Sequence, residues 1–323
     1  MAVPKSFAAI VDSKAIRDAI ETLTPNRILI FVEGESDWLW LNPKVVKNKA
    51  DVRYELDDDG GVDYVLERVR ACKAKGTRCI GIIDRDFAGL EGTRHENLLD
   101  EVFDTELHDS EVVMIDAGAL SLAMEWHVPP KRRPGGISEA RIEKLRREVL
   151  AAAGMLGAVR LVNLKRRPAR AGISKELMDR WIGTFSPGAT GKWELLGANL
   201  LTLLPWDSAQ KKSFGDDLKE ACRVAREEAK HLLPDGASPD DIEYVMTLLL
   251  CNGHDLMHLM ATCWHDALAG TSVSTPTVAF CRKELSDLMR SLFDFVMFKR
   301  TRLHEKIDEF CLKRYGQSIF ITT

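Results

Sequence analysis

The sequence predicts an α/β protein, with a mainly parallel sheet in the first part of the chain and a mostly helical second part. Three observations predict it. The runs Ile28-Leu29-Ile30-Phe31-Val32 and Cys79-Ile80-Gly81-Ile82-Ile83 are short, apolar and bounded by polar residues, the pattern of strands buried on both faces. Between them Val62, Val65, Leu66, Val69 and Cys72 recur at helical spacing, which predicts a helix over about 62–75. Beyond about residue 128 strand signals fade and helical ones dominate. Strand–helix–strand order with crossovers of this length implies a parallel, right-handed arrangement.

In chain order, residues 6–22 read as a short helix with Phe7, Ile10, Val11, Ala15, Ile16 and Ile20 on one face, which makes 1–25 an N-terminal segment. The sheet-bearing domain is expected over 26–128. Its first strand falls at about 27–33, and a helix from Ser36 is disturbed by Pro43, whose ring cannot continue a helix interior. A second strand follows at 52–56, then the acidic turn Asp57-Asp58-Asp59-Gly60-Gly61. A third strand is expected at 78–84 and a last one at 111–116. Pro129, Pro130, Pro134, Gly135 and Gly136 mark a linker. The helical domain is expected over 129–323. Its first helix runs from Ser138 to about 156, with Ile142, Leu145, Val149 and Leu156 in register. Two further helices open at Ser238-Pro239 and Thr275-Pro276, each a capping residue followed by proline at the first helical position.

The chain's 323 residues and 45% hydrophobic content suffice for a sizeable core, and the length suits two domains. A net charge of −4 does not announce a nucleic-acid binder. The seven cysteines are scattered without a Cys-x-x-Cys pair, which favours free thiols in a reducing compartment over a disulfide framework. The chain shows no apolar signal segment and no stretch approaching eighteen apolar residues. A soluble, cytoplasmic protein with no membrane association is therefore expected.

The chemistry-bearing residues are acids at strand ends. Glu33 closes the first apolar run, Gly34 follows it, and Asp37 comes four residues after Glu33. Asp84 closes the third strand, with Asp86 two residues later, so strand alternation sends both to one side. Asp104, Glu106, His108, Asp109 and Glu111 form a further group. Carboxyl ends of parallel strands are where open α/β sheets bind ligands. Carboxylates crowded there repel one another unless a cation neutralises them, and carboxylate oxygens suit a hard divalent ion. The commonplace alternative is that such acids cap helices and face solvent. The combination of Glu-Gly after one strand and Asp-x-Asp after another favours a metal site used on phosphate.

These residues resemble a TOPRIM domain, a Rossmann-like fold shared by topoisomerases, primases and OLD-type nucleases, whose pattern is a glutamate after the first strand and Asp-x-Asp after the third. Glu33, Asp84 and Asp86 occupy those places. Val32-Glu33-Gly34-Glu35-Ser36-Asp37 is similar to the OLD-like branch. Gly60-Gly61, Asp84-Arg85-Asp86-Phe87, the segment from Thr105 to Glu111 and Gly253-His254-Asp255-Leu256 resemble a TOPRIM-like family that includes the nuclease partner of an ABC-type ATPase in the PARIS phage-defence system. In that family the segment matching 105–111 usually reads Thr-Asp-x-x-Asp-x-Glu, and here Glu106 replaces the first acid. The resemblance implies that Asp37, Asp84 and Asp86 bind Mg²⁺ (or Mn²⁺). Glu33 would be a further ligand or the general acid/base, with Asp109 and Glu111 completing or orienting the site. It also implies an endonuclease cutting DNA or RNA, a tRNA among the candidates. Such an enzyme would be a toxic effector of antiviral defence controlled by an ABC-type ATPase. The chain itself has no Gly-x-x-x-x-Gly-Lys phosphate loop, so any ATP use falls to the partner. Whether the protein forms a homo-oligomer stays open.

Residues 131–175 hold thirteen Lys or Arg against three Glu and no Asp. Lys131, Arg132, Arg133, Lys165, Arg166, Arg167 and Arg170 are candidates for phosphate contacts, against the ordinary reading of a solvated basic face. Trp181 and Trp193 lie nearby and read as core or interface residues. Cys251, His254, His258, Cys263 and His265 invite a zinc reading, but Asn252-Gly253 breaks the helical face they would need, and a structural His254–Asp255 pair is the plainer expectation. Two other functions compete with the nuclease. One is an Asp-x-Asp phosphatase, which needs the pair after the first strand rather than the third. The other is a non-catalytic regulatory subunit in which the acids hold a structural ion.

Overall fold

The computed structural model describes residues 27–55, 60–91, 99–127, 139–166, 202, 206–269 and 278–321. The expected N-terminal helix, the Asp57–Asp59 turn, the linker at 129–136 and the opening at Thr275-Pro276 lie outside those residues, as do Trp181 and Trp193.

The architecture is α/β with a four-stranded sheet and a large helical part. The elements run β1 (Ile28–Phe31), α1 (Glu35–Leu41), β2 (Ala50–Arg53), α2 (Val62–Ala74), β3 (Cys79–Ile83), α3 (Ala88–Glu91) and β4 (Val102–Asp104). They continue with α4 (Ser110–Asp116), α5 (Ala119–His127), α6 (Glu139–Arg166), α7 (Ser208–Leu232), α8 (Pro239–Leu250), α9 (Gly253–Ala269), α10 (Val278–Leu292), α11 (Phe295–Phe298) and α12 (Arg302–Tyr315). Chain contacts divide the described residues into two units. The first holds 27–83, 99–103 and 306–321, and the second holds 84–91 and 104–305. This division interleaves along the chain and does not fall at the sequence boundary near 128.

In the first unit the strand order is β2-β1-β3-β4. β1 runs parallel to both neighbours, with Ile30 opposite Val52 on one side and Ile80 on the other. Every residue of β1 and β3 is buried, which is why these strands read as unbroken apolar runs rather than alternating ones. α2 lays Val65 and Val69 on β3, and each fully buried aliphatic side chain contributes about 1.5–3 kcal/mol. Gly81 makes this possible, because a Cβ there would sit 2.6 Å from Val65 Cγ1. α1 ends at a 3₁₀ turn over Asn42–Lys44 that contains Pro43, as the proline requires. The chain end returns to this unit: Tyr315 of α12 donates its hydroxyl to the Cys79 carbonyl at 2.9 Å and accepts the Cys79 amide at 3.3 Å.

The second unit is helical. α6 packs against α7, α8 and α9, and α10 against α5 and α9. α6 continues to Arg166, past the expected end near 156. It carries Gly157 at its closest approach to α8, where a Cβ would fall 1.6 Å from the Leu250 carbonyl oxygen. α8 opens as expected, with Ser238 capping the Asp241 amide and Pro239 at the first position.

One expected strand is a helix. Residues 111–116 belong to α4, and the fourth strand lies earlier, at Val102–Asp104. The run Glu111-Val112-Val113-Met114-Ile115 is buried throughout, so it shows no period by which helix and strand differ. The deciding residue is Asp109, whose side chain accepts from the Val112 amide and starts the helix.

Candidate functional site

Glu33 is the second residue beyond β1, and Asp84 the first beyond β3. The two strands are adjacent and parallel, so their carboxyl ends fall on the same edge of the sheet.

Within the first unit, Glu33 is half-buried and held by the start of α2. Its carbonyl accepts from the Gly61 amide at 3.0 Å. A Cβ on Gly60 would lie 2.6 Å from that carbonyl oxygen. Gly61 is the N-cap of α2 at φ 96°, a conformation that costs glycine little. The position its Cβ would take is 3.9 Å from Glu33 Oε2. The carboxylate thus sits at a helix N-terminus, where the aligned peptide dipoles favour negative charge. Gly34 plays no comparable role: its backbone is extended at φ −160° and a Cβ would meet nothing within 4 Å. Asp37 lies on α1, buried, and accepts from Trp40 Nε1 at 3.3 Å.

Within the second unit the turn after β3 is fastened residue by residue to the segment 105–110. Asp84 Oδ1 accepts from the Ser110 amide at 3.0 Å. The Arg85 amide donates to Thr105 Oγ1 at 2.9 Å, and its guanidinium pairs with Glu228 and reaches the Glu106 carbonyl at 3.3 Å. The Asp86 amide donates to the His108 carbonyl at 2.7 Å. The Phe87 ring meets the His108 imidazole edge-on with centroids 4.6 Å apart. Asp86 has φ 47°, so it has left the strand geometry and the two-residue alternation expected for Asp84 and Asp86 does not apply. Its side chain is 65% exposed.

The supporting acids carry other duties. Asp109 is 5% exposed. Its Oδ1 caps α4, and its Oδ2 accepts from the Gly253 amide at 2.7 Å, joining α4 to the start of α9. Gly253 has no room for a Cβ, which would lie 2.5 Å from Glu111 Cβ and 2.6 Å from Asp109 Oδ1. Glu111 pairs with Arg290 of α10 at 2.8 Å and is buried. Glu106, the departure from the family pattern, accepts from the Arg302 and Leu303 amides at 3.1 and 2.6 Å and so caps α12. Sequence reasoning had no role for Arg85 or Ser110, and the only hint was an arginine lodged between two acids.

Of the basic candidates, Lys165 and Arg166 are described and both are engaged. Lys165 donates to the Leu90 carbonyl at 3.1 Å. Arg166 is 10% exposed, pairs with Asp217, and lies 5.0 Å over the Phe214 ring, so it packs α6 on α7 instead of facing solvent as a phosphate contact. Lys131, Arg132, Arg133, Arg167 and Arg170 lie outside the described residues. Of the zinc candidates, Cys251 is buried with its thiol pushed well up by desolvation. His254 is exposed, and Asp255 forms a two-pronged pair with Arg160 at 2.6 and 2.8 Å.

Among the described residues no three His, Cys, Asp or Glu side chains are grouped to hold a metal ion. Asp84 and Asp86 nonetheless offer hard carboxylate oxygens on one turn, one of them exposed. That donor set fits magnesium, which takes one or two carboxylates and fills its shell with water and substrate phosphate. No helix among the described residues is long and apolar enough to cross a membrane. No protein-family model matches the chain, and no curated protein matches it significantly.

Proposed function

We propose that this protein is a magnesium- or manganese-dependent endonuclease with a TOPRIM-type catalytic domain. The observation that carries the reading is the placement of Glu33 and Asp84 just beyond two adjacent, parallel, fully buried strands, the edge at which such sheets bind ligands. Asp84 and Asp86 hold the ion, with Asp37 as a further candidate ligand, and Glu33 is a ligand or the general acid/base. A divalent ion held there neutralises charge on a phosphodiester and lowers the pKa of bound water. Asp109 and Glu111 support the site by fixing the helices around the Asp84–Phe87 turn. The resemblance of the acid pattern extends this to an effector of anti-phage defence whose partner is an ABC-type ATPase and whose substrate is DNA or RNA, a tRNA among the candidates.

The test is incubation of the purified chain, alone and with such an ATPase, with duplex DNA, single strands and tRNA, in EDTA, Mg²⁺ or Mn²⁺. Cleavage that requires the metal and disappears in Glu33→Ala and Asp84→Ala, with circular dichroism unchanged, is the expected result. Cleavage that persists in EDTA or in both variants overturns the proposal.

A further inference from the structure

The segment 105–110 grips the Asp84–Phe87 turn at four consecutive residues, and His108 is the residue of that segment that meets Asp86. Asp86 is the only non-glycine residue at positive φ among those described. An L residue with a side chain enters that region at a cost, and persists there only when its surroundings hold it. His108 is part of those surroundings. Its carbonyl takes the Asp86 amide at 2.7 Å. Its Nδ1 lies 3.8 Å from Asp86 Oδ1 and 3.2 Å from Asp109 Oδ2. Its ring is 2% exposed and wedged against Phe87. Asp109 is itself tied to the α4 and α9 backbone, so the imidazole orientation is set from behind by the helical unit. The other imidazole nitrogen, Nε2, is buried with no hydrogen-bond partner among the described residues, a cost that an apolar side chain filling the same space would not carry.

We infer that His108 is the positioning residue of the Asp-x-Asp turn: its imidazole, held by Asp109 and packed on Phe87, fixes the main chain whose carbonyl takes the Asp86 amide, so that the turn presents its oxygens to a divalent ion. The inference rests on the proposed metal dependence. It assigns His108 no contact with metal or substrate. With the Nδ1–H tautomer that a carboxylate partner favours, the ring is held between Asp109 and Phe87, and outer groups of this kind typically change metal affinity about 10- to 100-fold when removed.

The experiment uses the full chain and Mn²⁺ as probe. Mn²⁺ affinity is read by electron paramagnetic resonance without nucleic acid, and cleavage kinetics are read separately. His108→Ala is expected to weaken Mn²⁺ binding about tenfold or more, leave KM for nucleic acid unchanged, and recover cleavage at raised Mn²⁺. His108→Asn, which returns an amide donor near the Nδ1 position, is expected to restore most of the affinity. His108→Leu keeps the volume against Phe87 and supplies the same comparison if the alanine variant does not fold. Affinity within twofold of wild type in a folded Ala or Leu variant overturns the role of His108 and leaves the nuclease reading standing. Failure of the wild-type chain to bind Mn²⁺ overturns both.

Discussion

The two units fasten their helices by different mixtures of charged and neutral groups. In the second, carboxylates do it: buried Asp109 ties α4 to α9, buried Glu111 ties α4 to α10, and half-buried Glu106 caps α12. In the first, neutral groups share the work with one such pair: strand ladders around β1 and the Tyr315 phenol closing on both backbone atoms of Cys79 stand beside buried Glu101, which pairs with Lys73 of α2 at 2.7 Å. The difference teaches how to sort the acids of this chain. Helix N-termini and arginines take the carboxylates of 106–111, and Asp84 at the β3 exit likewise takes the Ser110 amide, while Glu33 is half-buried and Asp86 is exposed. Nearness in sequence to an expected catalytic acid does not make another acid catalytic.

The strongest test of that sorting is Glu111→Ala. It leaves Arg290, whose side chain is 19% exposed, with the looser 3.8 Å approach to half-exposed Asp287 in place of its 2.8 Å partner, and removing one partner of a buried pair costs about 3–5 kcal/mol. Denaturant unfolding should show that loss, and the double variant Glu111→Leu/Arg290→Met should recover much of it, because neither charge is then buried alone. Asp109→Ala comes next. It removes a helix cap, about 1 kcal/mol, and strands the buried Gly253 amide, about 1–3 kcal/mol more. Either variant unfolding like wild type would return these acids to the pool available for chemistry.

The neutral fastening has its own signature. Burial, first among its causes, pushes the Tyr315 hydroxyl up to about 12 from an ordinary value near 10.0. A folded value above the unfolded one means that the contribution of Tyr315 is complete below pH 10 and is lost as pH rises toward 12. Tyr315→Phe should cost about 1 kcal/mol in urea unfolding at pH 8, and its difference from wild type should shrink above pH 10. A difference constant across that range would show that the phenol is not the fastening.

Much of the sheet was legible because burial on both faces leaves an apolar run that few other structures require, as in β1 and β3. α2 announced itself by period, and α8 by Ser238-Pro239. The site was legible only in part. Glu33 and Asp84 fall where strand ends place them, but strand alternation misplaces Asp86, which has φ 47°, because alternation holds only while the ladder lasts. α4 read as a strand because a helix buried on every side has no polar face to set a period. Asp109 caps α4 through the nearby Val112 amide, but its tie to α9 and the capping role of Glu106 depend on amides at Gly253, Arg302 and Leu303, more than a hundred residues away in sequence, and no local pattern records those.

The smallest expected change in stability is the sharpest probe of the comparison. Asp86→Gly removes an exposed carboxylate from a residue at positive φ. Glycine adopts that conformation without the steric penalty but gains freedom in the unfolded chain. The two effects oppose, and the net change should stay within about 0.5 kcal/mol, as for surface positions generally. Mn²⁺ binding and metal-dependent cleavage should nonetheless be lost. An acid whose removal leaves the fold intact but ends metal binding is retained for chemistry, whereas Asp109 and Glu111 should show the reverse order of effects. A loss of stability in Asp86→Gly as large as that of Asp109→Ala, with Mn²⁺ affinity unchanged, would make Asp86 one more fastening and erase the distinction between the two sets of acids.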